Sequence, residues 1–350
     1  MKTENIVNNA NTKFLVPVLF SVMVVVALVA GLWPFETSPE NGARLNGKSL
    51  EFKGAGIAGA CASAPLFPSG EATVELSAVA RDFLMDRSGA MITFYDAAGS
   101  EVLSVSQWGG RAIVSSGTEA VAGARSAFSK NKWTSLLALA GKGGTALYID
   151  GKMGGSSPKP LYGLEKAECF TLGASPEGRH PWHGSLRRLA LWKRALSPEE
   201  ARLSSARAAA SSLIGLYRFD GSGFSVKNSV SGELQISLPE VFQPAKRVFL
   251  GPVFEDGGRF RFDGVDGAVN FAGFFPLGLL AYLLGPAARS RGAKMIFAVS
   301  VCFVLSLAIE TAQVFMPERF SQLSDLLLNT SGASAGALFG MFFGKKVRGQ

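Results

Sequence analysis

The feature that most constrains this chain is a run of 22 residues, Phe14 to Phe35, without one charged side chain. At about 1.5 Å of helical rise per residue, it can cross a hydrocarbon layer of roughly 30 Å. Neither a small-x-small cleavage site nor a lipidated Cys follows it, so it reads as a retained anchor rather than a removed leader. The charge is partitioned to match: residues 36 to 267 hold 26 Lys/Arg and 23 Asp/Glu, whereas the rest of the chain holds 9 and 4. Three more apolar runs lie in that charge-poor remainder, Gly267 to Pro286, Met295 to Met316 and Leu326 to Gly344.

The net charge of +8 sits beside these runs: Lys2, Lys13, Arg289, Arg291, Lys294, Lys345, Lys346 and Arg348, against the single acid Glu4. Basic flanks mark the cytoplasmic side of a membrane, which places both termini and the Pro286 to Lys294 loop inside and residues 36 to 266 and 317 to 325 outside. Nucleic acid is excluded as a partner, because the basic residues lack aromatic interleaving and any groove-reading motif. The expected domains are residues 1 to 35 with the first span, 36 to 250 outside the membrane, and 251 to 350 with three spans at about 267–286, 295–316 and 326–344.

Between Ser49 and Leu250 the pattern changes to short β-type runs separated by turn residues. Expected strands include Ala72 to Leu76, Met91 to Tyr95, Glu101 to Val105, Trp133 to Leu139, Ala146 to Ile149, Cys169 to Gly173, Leu186 to Trp192 and Leu213 to Phe219. Asp150-Gly151 supplies a hairpin turn, and Ser197-Pro198-Glu199-Glu200 is a capping box that opens a helix into an Ala-rich stretch. The run from Gly184 to Glu200, with Leu147-Tyr148-Ile149-Asp150-Gly151-Lys152 and Gly215 to Gly223, resembles the laminin-G-like, concanavalin-type family. That resemblance implies a jelly-roll sandwich that binds glycan or protein, with no cofactor and with a Ca²⁺ ion in the sandwich left open. Some relatives are glucanases, whose retaining chemistry needs two carboxylates about 5 Å apart. No Glu-x-Asp-x-x-Glu run occurs here, and Glu71 and Glu75 read as solvated strand residues.

His180 and His183 lack ligand neighbours at metal spacing and read as a surface loop. Trp133, Trp182 and Trp192 are candidates for a glycan-stacking platform, with the sandwich core as the competing place for such residues. Cys61 and Cys169 face an oxidising compartment in this topology and are candidates for a disulfide.

In the last part of the chain, Asn270 to Gly278, then Ser306 to Gln313, Arg319, Asp325, Asn329, Gly332 and Gly336 are similar to the VanZ-like family. Its members are small four-span proteins, and its founding member is associated with low-level teicoplanin resistance. The expected fold is therefore multi-domain: a four-span α-helical membrane domain, plus an all-β concanavalin-type sandwich standing where the family has a short outer loop, in a bacterial inner membrane.

Helical spacing brings the polar residues of these runs together. Ser306 and Gln313 share a face with Glu310 at i−4 and i+3, Asp325 and Asn329 stand at i and i+4, and Asn270 and Arg319 lie at the same membrane surface. An ionisable group inside a span costs roughly 2.5 to 3.5 kcal/mol unless paired or wet. Two readings account for it: a polar pocket where Arg319 grips an anionic headgroup, or a structural Glu310–Arg319 pair. Gly332, Gly336 and Gly340 read as a helix-packing seam. Functionally the chain reads as a non-enzymatic envelope protein with membrane lipid and an envelope glycan or protein as partners. An enzyme acting on a lipid-linked cell-wall precursor and a purely adhesive module are the alternatives.

Overall fold

The computed structural model describes residues 2–83, 88–117, 119–202, 210–253, 264–285 and 290–348. Contacts divide the chain into two units, Ser38–Arg247 on one hand and Met1–Thr37 with Val248–Gln350 on the other.

The first unit is a sandwich of two antiparallel sheets. One sheet runs β1 (Ala43–Leu45), β2 (Leu50–Phe52), β13 (Gly184–Trp192), β4 (Ala72–Ala80), β9 (Thr134–Gly141), β10 (Gly144–Ile149) and β11 (Lys152–Ser157), with β14 (Leu213–Arg218) also paired to β13. The other runs β15 (Ser225–Val226), β16 (Ile236–Ser237), β3 (Ala58–Cys61), β12 (Cys169–Leu172), β5 (Ser88–Tyr95), β6 (Glu101–Trp108), β7 (Arg111–Ser116) and β8 (Glu119–Ala124). All eight strands read from the sequence are present. Alternation along each strand builds the core, as on β4, where Val74, Leu76 and Ala78 point between the sheets to meet Phe94, Phe170 and Leu189.

Local chemistry fixes the connections. Asp150 and Gly151 both adopt positive φ, as a two-residue hairpin requires, and Asp150 also accepts the Ser135 N–H at 2.9 Å. Ser197 Oγ accepts from the Glu200 N–H at 3.3 Å while Glu200 Oε2 accepts from the Ser197 N–H at 2.8 Å, a reciprocal capping box at the start of α2 (Pro198–Arg202). The Ala-rich stretch that follows falls largely on residues 203–209, outside the described residues. Cys61 and Cys169, which are directly opposed in the β3–β12 pairing, are joined by a disulfide.

The second unit is built from α1 (Lys2–Leu32), α3 (Gly264–Leu284), α4 (Arg291–Gln313) and α5 (Leu323–Arg348). Among the described residues, Phe14–Leu32, α3 and α4 are each long and apolar enough to cross a membrane. The expected ends of the second span at Pro286 and of its basic flank at Arg289 lie outside the described residues. In α5 the hydroxyls of Thr330, Ser331 and Ser334 donate to carbonyls one turn back, at 2.7 to 2.8 Å, so these side chains do not need water to satisfy them.

Glycines bring α3 and α5 together. A Cβ at Gly278 would lie 2.0 Å from the Ala333 carbonyl oxygen, one at Gly332 would lie 2.2 Å from that of Phe271, and one at Gly336 would lie 1.9 Å from that of Phe275. The helices therefore touch backbone to backbone, the arrangement small residues permit in an apolar medium where burial alone does not drive association. Phe274, Leu277, Ala281, Cys302 and Ile309 complete this core, with Met23, Ala27 and Leu28 of α1 packed on it.

Candidate functional site

Four helix ends of the second unit meet around a pocket of about 530 Å³: the C-terminal ends of α1 and α4 and the N-terminal ends of α3 and α5. Six of the seven polar residues singled out from the sequence line it, namely Asn270, Glu310, Gln313, Arg319, Asp325 and Asn329. The seventh, Ser306, is fully buried and accepts a hydrogen bond from Asn329 Nδ2 at 3.0 Å, so it positions a lining side chain.

Each polar group has a local task. Glu310 is 1% exposed, and its Oε2 accepts the Gln322 N–H at 2.8 Å, an otherwise unpaired donor just ahead of α5. The Ser321 side chain hydrogen bonds the same carboxylate, and the Asn270 side chain hydrogen bonds Asp325. Gly251 reinforces the turn by donating its N–H to the Ser321 carbonyl at 2.9 Å and accepting the Leu323 N–H at 3.0 Å.

Arg319 has a task that neither reading drawn from the sequence included. Its Nη2 donates to the carbonyls of Gly31 at 3.0 Å and Ala30 at 3.4 Å, and Gln313 Nε2 donates to Gly31 at 2.8 Å. These are the open carbonyls at the end of α1, where a cation is also favoured by the helix dipole. Through Nη2 the guanidinium therefore caps the C-terminal end of α1. Sequence reasoning missed this because backbone acceptors carry no residue signature. It also missed Asp266 and Glu318, two further acids on the pocket wall.

In the sandwich, the expected stacking platform is not assembled. Trp182 is 1% exposed in the main core, against Phe52, and its Nε1 donates to Gln107 Oε1 at 2.7 Å. Trp192 is equally buried on the opposite face of its sheet, with Leu137, Tyr148 and Leu196. Both are core residues because sandwich layers need large apolar fillers; the Trp182 N–H is satisfied there, whereas the Trp192 N–H has no hydrogen-bond partner among the described residues. Trp133 is half-buried with the Arg187 guanidinium 4.0 Å above its ring, so one face is already covered.

The two sandwich carboxylates singled out from the sequence each have a partner of their own. Glu75 is buried on β4 rather than solvated as expected, 3.4 Å from Arg188, and burial holds its carboxyl above the usual range. Glu71 accepts the Ala195 N–H at 3.4 Å. His180 is exposed and lies 3.1 Å from Ser88 Oγ, and His183 lies 3.7 Å from Asp82. Among the described residues no group of three His, Cys, Asp or Glu is arranged to hold a metal.

Glu101, at the start of β6, carries a titration in reach of experiment. Burial and the neighbouring Glu177 carboxylate push its pKa up to about 7. An acid raised on folding favours the native state while protonated, so its contribution is fully present below its unfolded value near 4.5 and is lost as pH rises through 7. Unfolding of the sandwich followed by denaturant titration should therefore show stability falling between pH 4.5 and 7, by an amount on the order of 2 kcal/mol. Glu101→Gln should flatten that slope, and an unchanged slope would remove Glu101 as its source.

Comparison with known families agrees with both halves. Residues 59–202 match the family model of the concanavalin A-like lectin/glucanases superfamily. Residues 217–344 match the VanZ/LLP1 family model, whose match thus begins within β14 of the sandwich. The chain thus combines a region similar to the concanavalin A-like lectin/glucanases superfamily with a region similar to the VanZ/LLP1 family. No curated protein matches it.

Solved structures similar to this chain include a candidate carbohydrate-binding protein from Bacteroides ovatus, at 14% identity and a TM-score of 0.42 over 58% of this chain and 59% of that one. They also include the sialidase of Trypanosoma rangeli, at 16% identity and 0.39 over 47% of this chain and 28% of that one. A variant of the NanB sialidase of Streptococcus pneumoniae, at 15% and 0.34, is covered over 28% of its length. The chain spans under two thirds of each of these proteins.

Proposed function

We propose that this protein is a bacterial inner-membrane receptor with four spans, in which the helical unit recognises an amphiphilic molecule and the sandwich, outside the membrane, binds an envelope glycan. The observation that carries the reading is the pocket of about 530 Å³, lined both by the polar Glu310, Gln313, Asp325 and Asn329 and by the apolar Met23, Val26 and Ile309. A wall half polar and half apolar is complementary to a molecule with a head and a tail. The topology rests on the basic flanks Lys2, Lys13, Arg291 and Lys294 together with the Lys345–Arg348 cluster. The domains are accordingly a first span, a sandwich over 36 to 250 and a three-span region over 251 to 350. Glycan binding is supported by the superfamily match alone.

Gly273 lines the pocket, and a Cβ there would meet nothing within 4 Å. Gly273→Leu should therefore fill the pocket without disturbing the helices, lowering the occupancy of amphiphile bound to the full chain, read by native mass spectrometry, by about tenfold, a loss of about 1.4 kcal/mol. Undiminished occupancy would show that the pocket is not where amphiphile binds. Glycan binding is checked with the same full-length protein on an array of peptidoglycan and other envelope fragments, where absence of saturable binding would remove that half of the proposal.

A further inference from the structure

The chemistry of the pocket wall specifies more than an amphiphile; this step rests on the reading of the pocket just given. Among the described residues, four carboxylates line it, from Asp266, Glu310, Glu318 and Asp325, against one guanidinium, that of Arg319. That guanidinium already donates to the carbonyls of Ala30 and Gly31. Independently of these charges, two amide side chains on the wall each leave an oxygen without a hydrogen-bond partner among the described residues: Gln313 Oε1 and Asn329 Oδ1. Both side chains are enclosed, at 5% and 4% exposure. For Gln313 the orientation of the amide is set, because the nitrogen is the atom that donates to the Gly31 carbonyl.

Buried acceptors without donors are costly to leave unmade, and an excess of negative charge in a partly apolar pocket is costly to leave uncompensated. Both demands are met by the same incoming group, one that carries positive charge and several N–H donors. A phosphate or carboxylate meets neither, since it brings only acceptors and adds its charge to those of the wall. A hydroxylated, uncharged head meets the first alone. We infer that the pocket binds the ammonium head of a cationic or zwitterionic amphiphile, with Glu310 and Asp325 facing the charge and the Gln313 and Asn329 amide oxygens accepting from it.

The test uses the full-length protein in dodecyl maltoside micelles at pH 7, with its thermal unfolding midpoint and isothermal calorimetry as readouts. The probes are octylammonium, octyl phosphate and octyl glucoside, which share a tail, and ethylammonium, which lacks one. Octylammonium is expected to bind saturably and to raise the midpoint, with ethylammonium doing neither at the same concentration. Glu310→Gln keeps an oxygen for the Gln322 N–H and Asp325→Asn keeps one for Asn270, so both variants should fold. Each should weaken octylammonium at least tenfold.

Tighter binding of octyl phosphate than of octylammonium, or ammonium affinity unchanged in both variants, would overturn this inference and leave the pocket an amphiphile site. Ethylammonium binding as tightly as octylammonium would make the site one for free amines. Failure of all three octyl probes to bind saturably would overturn the amphiphile reading along with it.

Discussion

Gly336→Val is expected to dissolve the packing of the helical unit. A Cβ at that position would stand 1.9 Å from the Phe275 carbonyl oxygen and 2.9 Å from the Leu279 N. Both atoms belong to the backbone of α3, so no rotamer change can make room. The helices would have to separate by more than an ångström along a seam that also includes Gly278 and Gly332, and contacts packed at crystal-like density tolerate no such shift. The cost should be about 3 kcal/mol or more. Measured by thermal unfolding and size-exclusion profile of the full chain in maltoside micelles, the variant should lose its midpoint or aggregate. Gly292→Val on α4 is the control, because a Cβ there meets nothing within 4 Å. Equal stability of the two variants would mean that the seam is not close-packed in the membrane. Because Asn270 and Gly273 on α3 and Asp325 and Asn329 on α5 face the same pocket, opening the seam should remove amphiphile binding as well.

How far such features can be read from residues alone depends on what kind of signal each leaves. The central strands announce themselves by alternation and by turn residues such as Asp150-Gly151. Among the strands left unread, three do not: β7, β8 and β11 have the sequences RAIVSS, EAVAGA and KMGGSS, dominated by small and polar residues that show little β pattern. They are strands because β6, β7 and β10 offer β7, β8 and β11 respectively an edge to pair with. The capping box before α2 was legible because its two hydrogen bonds are written in Ser197 and Glu200. In the helical unit, ionisable and amide residues inside apolar runs were legible as a cluster, since such groups need a reason to be there. The function of Arg319 was not, because its partners are carbonyls of Ala30 and Gly31, nearly three hundred positions away in sequence and indistinguishable there from other backbone. Trp182 and Trp192 show the converse: an aromatic side chain fits a binding face or a core equally well, and only the neighbours decide.

The second large effect is expected from the Cys61–Cys169 disulfide, which closes 108 residues of chain and encloses β4 to β11 within the loop. Tethering two points that far apart restricts the unfolded ensemble strongly, so replacing both residues by Ala should cost the sandwich about 2 to 5 kcal/mol. The loss should be felt first at β3. That strand is four residues long, and among the described residues it pairs, beyond β12, only with the two-residue β16 through Ser237–Gly59. Without the bridge, amide hydrogen exchange at residues 58 to 61 and in β15 and β16 should rise toward the rate of a frayed edge, while β4 and β9 in the middle of the other sheet keep their protection. Thiol chemistry gives an independent check. Cys302 is buried in α4 and unbridged, so the denatured, unreduced chain should take up one alkylating group and the reduced chain three. Three groups before reduction would mean that the bond does not form. Since a structural disulfide persists in an oxidising compartment, the same labelling performed on intact cells also bears on which side of the membrane the sandwich lies: a bridge formed in place argues for the outer side, and a reduced pair for the cytoplasm.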